Sequence, residues 1–168
     1  MLLTIELVPK TCHFKNVRSE VTPASWDVLR KETYRNADYT CEICGGKGSS
    51  HPVECHEIWS YDDAAHTQTL TGLIALCPSC HEVKHMGLAK IKGNYERALT
   101  HFMKVNQFTR KKAIDEIFSA FAQWAERSEH QWTLDISWLN QHLAPPKVAV
   151  PYEEAEEVKN ELDRLFED

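Results

Sequence analysis

The chain has 168 residues, 42% of them hydrophobic, and a formal net charge of −6. That length suits one domain with a real core rather than two, and no apolar run approaches the roughly 18 residues needed to cross a bilayer, which argues against a membrane protein of the helical kind. Met1 to Val8 is too short for a leader and is followed at once by Pro9 and Lys10. The six cysteines are therefore expected in a cytoplasmic protein, as thiols or metal-bound thiolates rather than disulfides.

The charge is unevenly spread. Residues 151–168 carry eight acids against two bases, while residues 1–150 are neutral with 17 of each. Within that neutral body, Lys84 to Lys112 sets eight bases against Glu96 alone. Such a strip either grips phosphates non-specifically or is simply the solvated face of a helix.

In chain order, Leu2–Val8 reads as a short strand or an extended arm bounded by Pro9. Thr22 as N-cap, Pro23 in the first turn, and Trp26, Leu29 and Tyr34 beyond them predict a helix ending near Asn36 to Asp38. Tyr39–Gly46 has the form of a zinc knuckle, its glycines turning backbone amides towards thiolates. Pro52–Ile58 suits a strand, Trp59–Thr71 a long polar loop, and Leu73–Leu76 a short buried strand. A helix then starts at Pro78-Ser79, with Gly87 placed to end it. Apolar stripes over Asn94–Val105 and Thr109–Arg127 predict two further helices, the second burying Ala113, Ile114, Ile117, Phe118, Phe121 and Trp124, and a short helix is expected at Asp135–His142. Prolines make 144–151 a linker, and Val158, Leu162, Leu165 and Phe166 make 152–168 an acidic amphipathic helix able to bind a protein partner.

Cysteine and histidine carry the chemistry. Cys41-x2-Cys44 and Cys77-x2-Cys80 present two pairs of thiolates, which suit one tetrahedral zinc with Zn–S near ~2.3 Å. His81 and His85, at i and i+4, fall on one face of the expected helix, and His56 comes from the preceding strand. Together they form a second candidate site.

Cys41-x2-Cys44, His56 at a strand end and Leu76-Cys77-x2-Cys80-His81-x3-His85 resemble the HNH endonuclease family, over about Tyr34 to Met86. The resemblance implies an α+β fold, a small ββα-metal core stapled by the four-cysteine zinc and embedded in a mainly helical domain that spans residues 1–143. It implies cleavage of DNA phosphodiester bonds, with His56 as the base that activates water and His81 and His85 facing a divalent ion, whether Zn, Ni, Mn or Mg. Two positions depart from the pattern. Cys55 stands where the family often has an acid or histidine that binds the ion; it is either a thiolate ligand or a buried small hydrophobe, with Glu54 or Glu57 supplying an oxygen instead. Gly72 stands where an asparagine orients the base, and His66 or Gln68 from the loop either takes over that task or faces solvent. The leading expectation is thus a metal-dependent DNA endonuclease, and the alternative a catalytically inactive zinc module that binds DNA or protein.

Overall fold

The computed structural model describes residues 2–12 and 16–143. The linker and acidic tail expected over 144–168 lie outside the described residues.

Helix α1 (Val17–Glu20) is one turn, capped by Asn16 and Ser19, and its Val17 amide donates to Glu57 Oε1 at 2.7 Å. Helix α2 (Pro23–Asn36) starts as its sequence demands: Thr22 Oγ1 accepts from the Ser25 amide at 3.1 Å, and Pro23 sits in the first turn, where an amide is not missed. Past its end Asp38 and Tyr39 are both left-handed, and the Tyr39 amide donates to Tyr34 O at 2.8 Å.

Strands β1 (Glu54–Asp62) and β2 (Thr67–Leu76) form an antiparallel hairpin, and β3 (Thr133–Asp135) joins β2 in parallel, giving the order β1-β2-β3. The long loop expected at 59–71 is therefore the outer half of the hairpin. Its acids and amides suggested a loop, but Trp59, Tyr61, Thr67 and Thr69 suit a pleated surface better than an irregular one. Only a tight turn remains, in which Asp62 Oδ1 accepts from the Ala64 and Ala65 amides and His66 is left-handed.

A β-bulge sits in the middle of this hairpin: Ile58 pairs with Gly72 but Trp59 pairs with Leu70, so Thr71 is the extra residue. One inserted residue exchanges the faces of a strand. Beyond the bulge Ile74 and Leu76 join a core with Val83, Met86, Leu99, Phe102 and Ile117, whereas Leu70 and Leu73 pack with Val17, Leu29 and Leu139 in a second one. One strand thus serves two cores.

Helix α3 (Pro78–Lys84) ends at His85 rather than at Gly87. Gly87 lies inside the next helix, α4 (Met86–Ile91), and it is the left-handed Gly93 that follows that helix. Helices α5 (Tyr95–Asn106) and α6 (Arg110–Arg127) match the apolar stripes, and Thr109 Oγ1 caps α6. Phe118 is an exception, 70% exposed although placed on the expected core face. The helix expected at the end is a 3-10 turn, Ser137–Gln141. The result mixes helices with a small three-stranded sheet, as an α+β expectation requires. Among the described residues no helix is long and apolar enough to cross a membrane.

Most bases of the Lys84–Lys112 strip are already matched by acids. Arg97 pairs with Glu82, Arg110 with Glu96, Lys111 with Asp115 and Lys112 with Glu116. Lys84 is only 6% exposed and turns inward to Glu6 and to Thr4 Oγ1. Thr4 and Glu6 belong to the segment 2–8, which has no regular secondary structure and is not part of the sheet: the Asn106 side chain holds both backbone groups of Leu3, the Glu6 amide donates to Lys84 O, and Trp124 Nε1 donates to Val8 O.

Burial alone would raise the Glu6 carboxyl, but hydrogen bonds and charge from His56 and Lys84 outweigh it and bring it from 4.5 down to about 2. A depressed carboxyl stabilises the fold above its unfolded value and ceases to do so as pH falls from about 4.5 towards 2. Glu6→Gln, which strips the buried Lys84 of its counter-charge, is expected to cost about 1–3 kcal/mol at neutral pH. The urea midpoint reads this directly, and wild type and variant should converge as pH falls through that window; equal midpoints at pH 7 would rule the tether out.

Candidate metal centres

The first centre is built by two local motifs. Between Cys41 and Gly46 the chain closes on itself: the Cys41 amide donates to Gly46 O, the Gly45 amide to Cys41 O, and the Gly46 amide to Cys44 Sγ at 3.4 Å. Gly45 takes φ +71°, which a glycine allows. Cys77 precedes α3 as its N-cap residue and Cys80 lies in its first turn. The two motifs meet because Gly48 lets the turn close against α3: a Cβ there would stand 2.2 Å from His51 O and 2.7 Å from Pro78 Cδ.

The four sulfur atoms lie within 4.8 Å of one another, and Cys44 Sγ is 3.6 Å from Cys77 Sγ. Tetrahedral zinc with bonds of ~2.3 Å places its sulfurs about 3.8 Å apart, so the donor set fits an ion such as zinc. The thiols are badly matched to one another without a cation. The hydrogen bond from Cys80 draws Cys41 down to about 4, while the same contact and then burial push Cys80 up, and burial pushes Cys77 up to about 11. A dication removes that conflict, since a coordinated thiol is deprotonated outright. A fifth side chain, not anticipated from the sequence, adjoins this centre: His101 of α5 places Nε2 3.1 Å from Cys80 Sγ.

The second centre gathers His56 from β1 and His81 and His85 from α3 and its end, whose ring nitrogens also lie within 4.8 Å of one another and could hold a metal ion. His81 Nε2 and His85 Nε2 are 3.1 Å apart. Two imidazoles bound at ~2.0–2.1 Å to one tetrahedral ion stand about 3.3 Å apart, so this pair has a chelating spacing. The rings of His56 and His81 have centroids 5.2 Å apart, and those of His56 and His85 5.1 Å.

Two carboxylates orient these rings. Glu54 Oε2 accepts from His81 Nδ1 at 2.5 Å, which leaves the lone pair on Nε2, the nitrogen facing His85. Glu6 Oε2 accepts from His56 Nε2 at 2.8 Å, leaving the lone pair on Nδ1. Burial, then the charge of His56, lowers the pKa of His81, which favours the neutral ring that a ligand requires. Burial would raise Glu54, but the hydrogen bond from His51 and the charge of His81 hold it below its ordinary value.

The remaining candidates lie elsewhere. Cys55 is not with the imidazoles: strand alternation turns it to the opposite face from His56, towards Thr33 and Arg30 of α2, and burial raises its thiol to about 11. Of the two readings, the half-buried protonated thiol is the one its position favours. Glu57 is also turned away, bonded to the Val17 amide and to Trp59 Nε1, and raised by burial. Glu54 is the neighbouring acid that does face the site. Neither loop residue replaces the asparagine. Gln68 pairs with Tyr61, five residues and about 16 Å along β1 from His56, and His66 stacks on His130 with centroids 4.2 Å apart. Gly72 is not forced by packing, since a Cβ would meet only Ile58 Cδ1 at 3.7 Å.

Loss of the first centre should unfold the domain, because ligand binding there is folding free energy. Cys41→Ser is expected to lose the thiolate-bound zinc, read by metal analysis, together with its cooperative thermal transition. A zinc-free Cys41→Ser protein that melts cooperatively would contradict this. Compared with known proteins, the chain matches no family model, no curated protein and no solved structure.

Proposed function

We propose that the chain is a metal-dependent endonuclease of the HNH type that hydrolyses DNA phosphodiester bonds. The observation that carries this reading is the convergence of three imidazoles from β1 and α3, two of them hydrogen-bonded to carboxylates, beside a cluster of four thiols at the start of α3 that could hold a metal ion. His81 and His85 would hold a divalent ion, which supplies positive charge where phosphoryl transfer develops negative charge.

The chain's own groups divide the rest. His56, with Nε2–H held by Glu6, presents Nδ1 to take a proton from water, and Glu6 then stabilises the imidazolium formed. Glu6 thereby does what the missing side chain at Gly72 would otherwise do. Lys84 keeps Glu6 ionised. Glu54 fixes the tautomer of His81. Buried at 6% exposure, His56 works against little competing solvent.

A second reading, a catalytically inactive zinc module for DNA or protein, draws on Gly72 and on Cys55, which faces away from the imidazoles. Plasmid nicking by the zinc-loaded chain with Mg, Mn, Ni or Zn separates the two. Under the nuclease reading, His56→Ala loses about 10²–10⁴-fold in rate while retaining the second ion, and His81→Ala loses both ion and rate. No nicking with any ion favours the inactive module, and loss of the ion in His56→Ala makes His56 a ligand rather than the base.

A further inference from the structure

Two adjoining grooves run along α2 and share Asp27, the first lying between α2, Arg18 of α1 and the start of β1. One, of about 500 Å³, is walled by Arg18, Trp26, Arg30 and Tyr34 and reaches Glu54 and Cys55. The other, of about 360 Å³, is lined by Lys31, Arg35 and Tyr39. Glu54 also holds His81, so the first groove opens one side chain away from the imidazole centre.

Several of these side chains lack an internal task. Arg30 and Lys31 are spent on Asp27 at 2.7 and 2.8 Å. Arg18 and Arg35 have no ion pair among the described residues, and the Trp26 indole N–H has no acceptor among them. Tyr39 is 44% exposed and left-handed at φ +52°, an unfavourable backbone for a bulky residue, and one that is worth a functional explanation. Guanidinium groups at both ends and aromatic rings between them are the combination that binds a nucleic acid strand without reading its sequence: cations track the phosphates and each base stacks on a ring.

We infer that this face of α2 binds a single-stranded segment of DNA, leading it past Glu54 to the imidazole centre. The inference rests on the nuclease reading for its direction, though the binding itself does not require cleavage. A duplex keeps its bases stacked inside and offers them no ring, so the occupant is an unpaired strand.

The test is fluorescence anisotropy of labelled oligothymidylate with the zinc-loaded full chain and no second divalent ion, with a duplex of the same length as competitor. Single strand is expected to bind more tightly than duplex. Arg18→Ala with Arg35→Ala should flatten the dependence of log affinity on log salt by about 1.4. Trp26→Ala should weaken binding about five-fold or more, and Trp26→Phe, which keeps a π-face and the packing, should recover most of it. Because Trp26 also packs on the second core, Tyr34→Ala serves as the parallel stacking variant if Trp26→Ala does not fold. Duplex binding at least as tight as single strand, or an unchanged salt slope in the double arginine variant, overturns the inference. A chain that binds single strands in this way yet nicks nothing keeps the groove and loses the nuclease reading; one that nicks with an unchanged slope does the reverse.

Discussion

The drawing together of Cys41, Cys44, Cys77 and Cys80 is the constraint on which the rest depends. Alone, neither the 41–46 turn nor a seven-residue helix would hold its position, because short helices are marginal without tertiary support. An ion shared by the four sulfurs would join them, and already Pro78 stands against Gly48 where α3 begins. From that origin the helical repeat alone determines where His81 projects, one residue beyond Cys80, and where His85 follows a turn later. The structural centre is thus the ruler for the second one.

The imidazole centre is completed by a segment with no secondary structure of its own. Leu3 is buried in the first core, and three backbone or side-chain attachments along residues 3–8 hold the arm beside α3, α5 and α6. The carboxylate it delivers links His56 to Lys84. A buried ion pair of this type contributes little net stability but is costly to break. Its consequence here is that folding of the arm and the state of His56 are coupled.

What could be read from the sequence was what is local. The cap at Thr22, the Cys-x2-Cys turns, and the His81-x3-His85 spacing lie within a few residues and carry their own geometry. The errors arose where distant parts decide. The HNH pattern puts Cys55 at a ligand position and leaves Glu54 and Glu57 as alternatives, but neighbours in a strand lie on opposite faces, so parity from His56 selects Glu54. The hairpin was hidden because polar residues on its exposed face resemble a loop, and the bulge at Thr71 breaks the alternation that would have revealed it. Nothing in Leu2–Val8 indicates that Glu6 reaches His56, fifty residues away, nor does any pattern mark His101 as a neighbour of Cys80.

Charge explains why the second centre and the basic strip are not alternatives. Apart from the imidazoles themselves, the groups in contact there are two carboxylates, Glu6 and Glu54, and one ammonium, Lys84, a local balance of −1. Such a site repels a phosphodiester and attracts a cation. A divalent ion would turn the balance to +1, so that affinity for phosphate becomes conditional on the metal. Of the eight bases in the Lys84–Lys112 strip, four face acids at the surface and Lys84 is already counted inside, which leaves the exposed Lys90, Lys92 and Lys104 without an ion pair among the described residues. Under the proposed nuclease reading, phosphate contacts made before the metal would fall to cations outside the imidazole centre: these three lysines, Arg18 of α1 and Arg35 of α2 have no ion pair among the described residues.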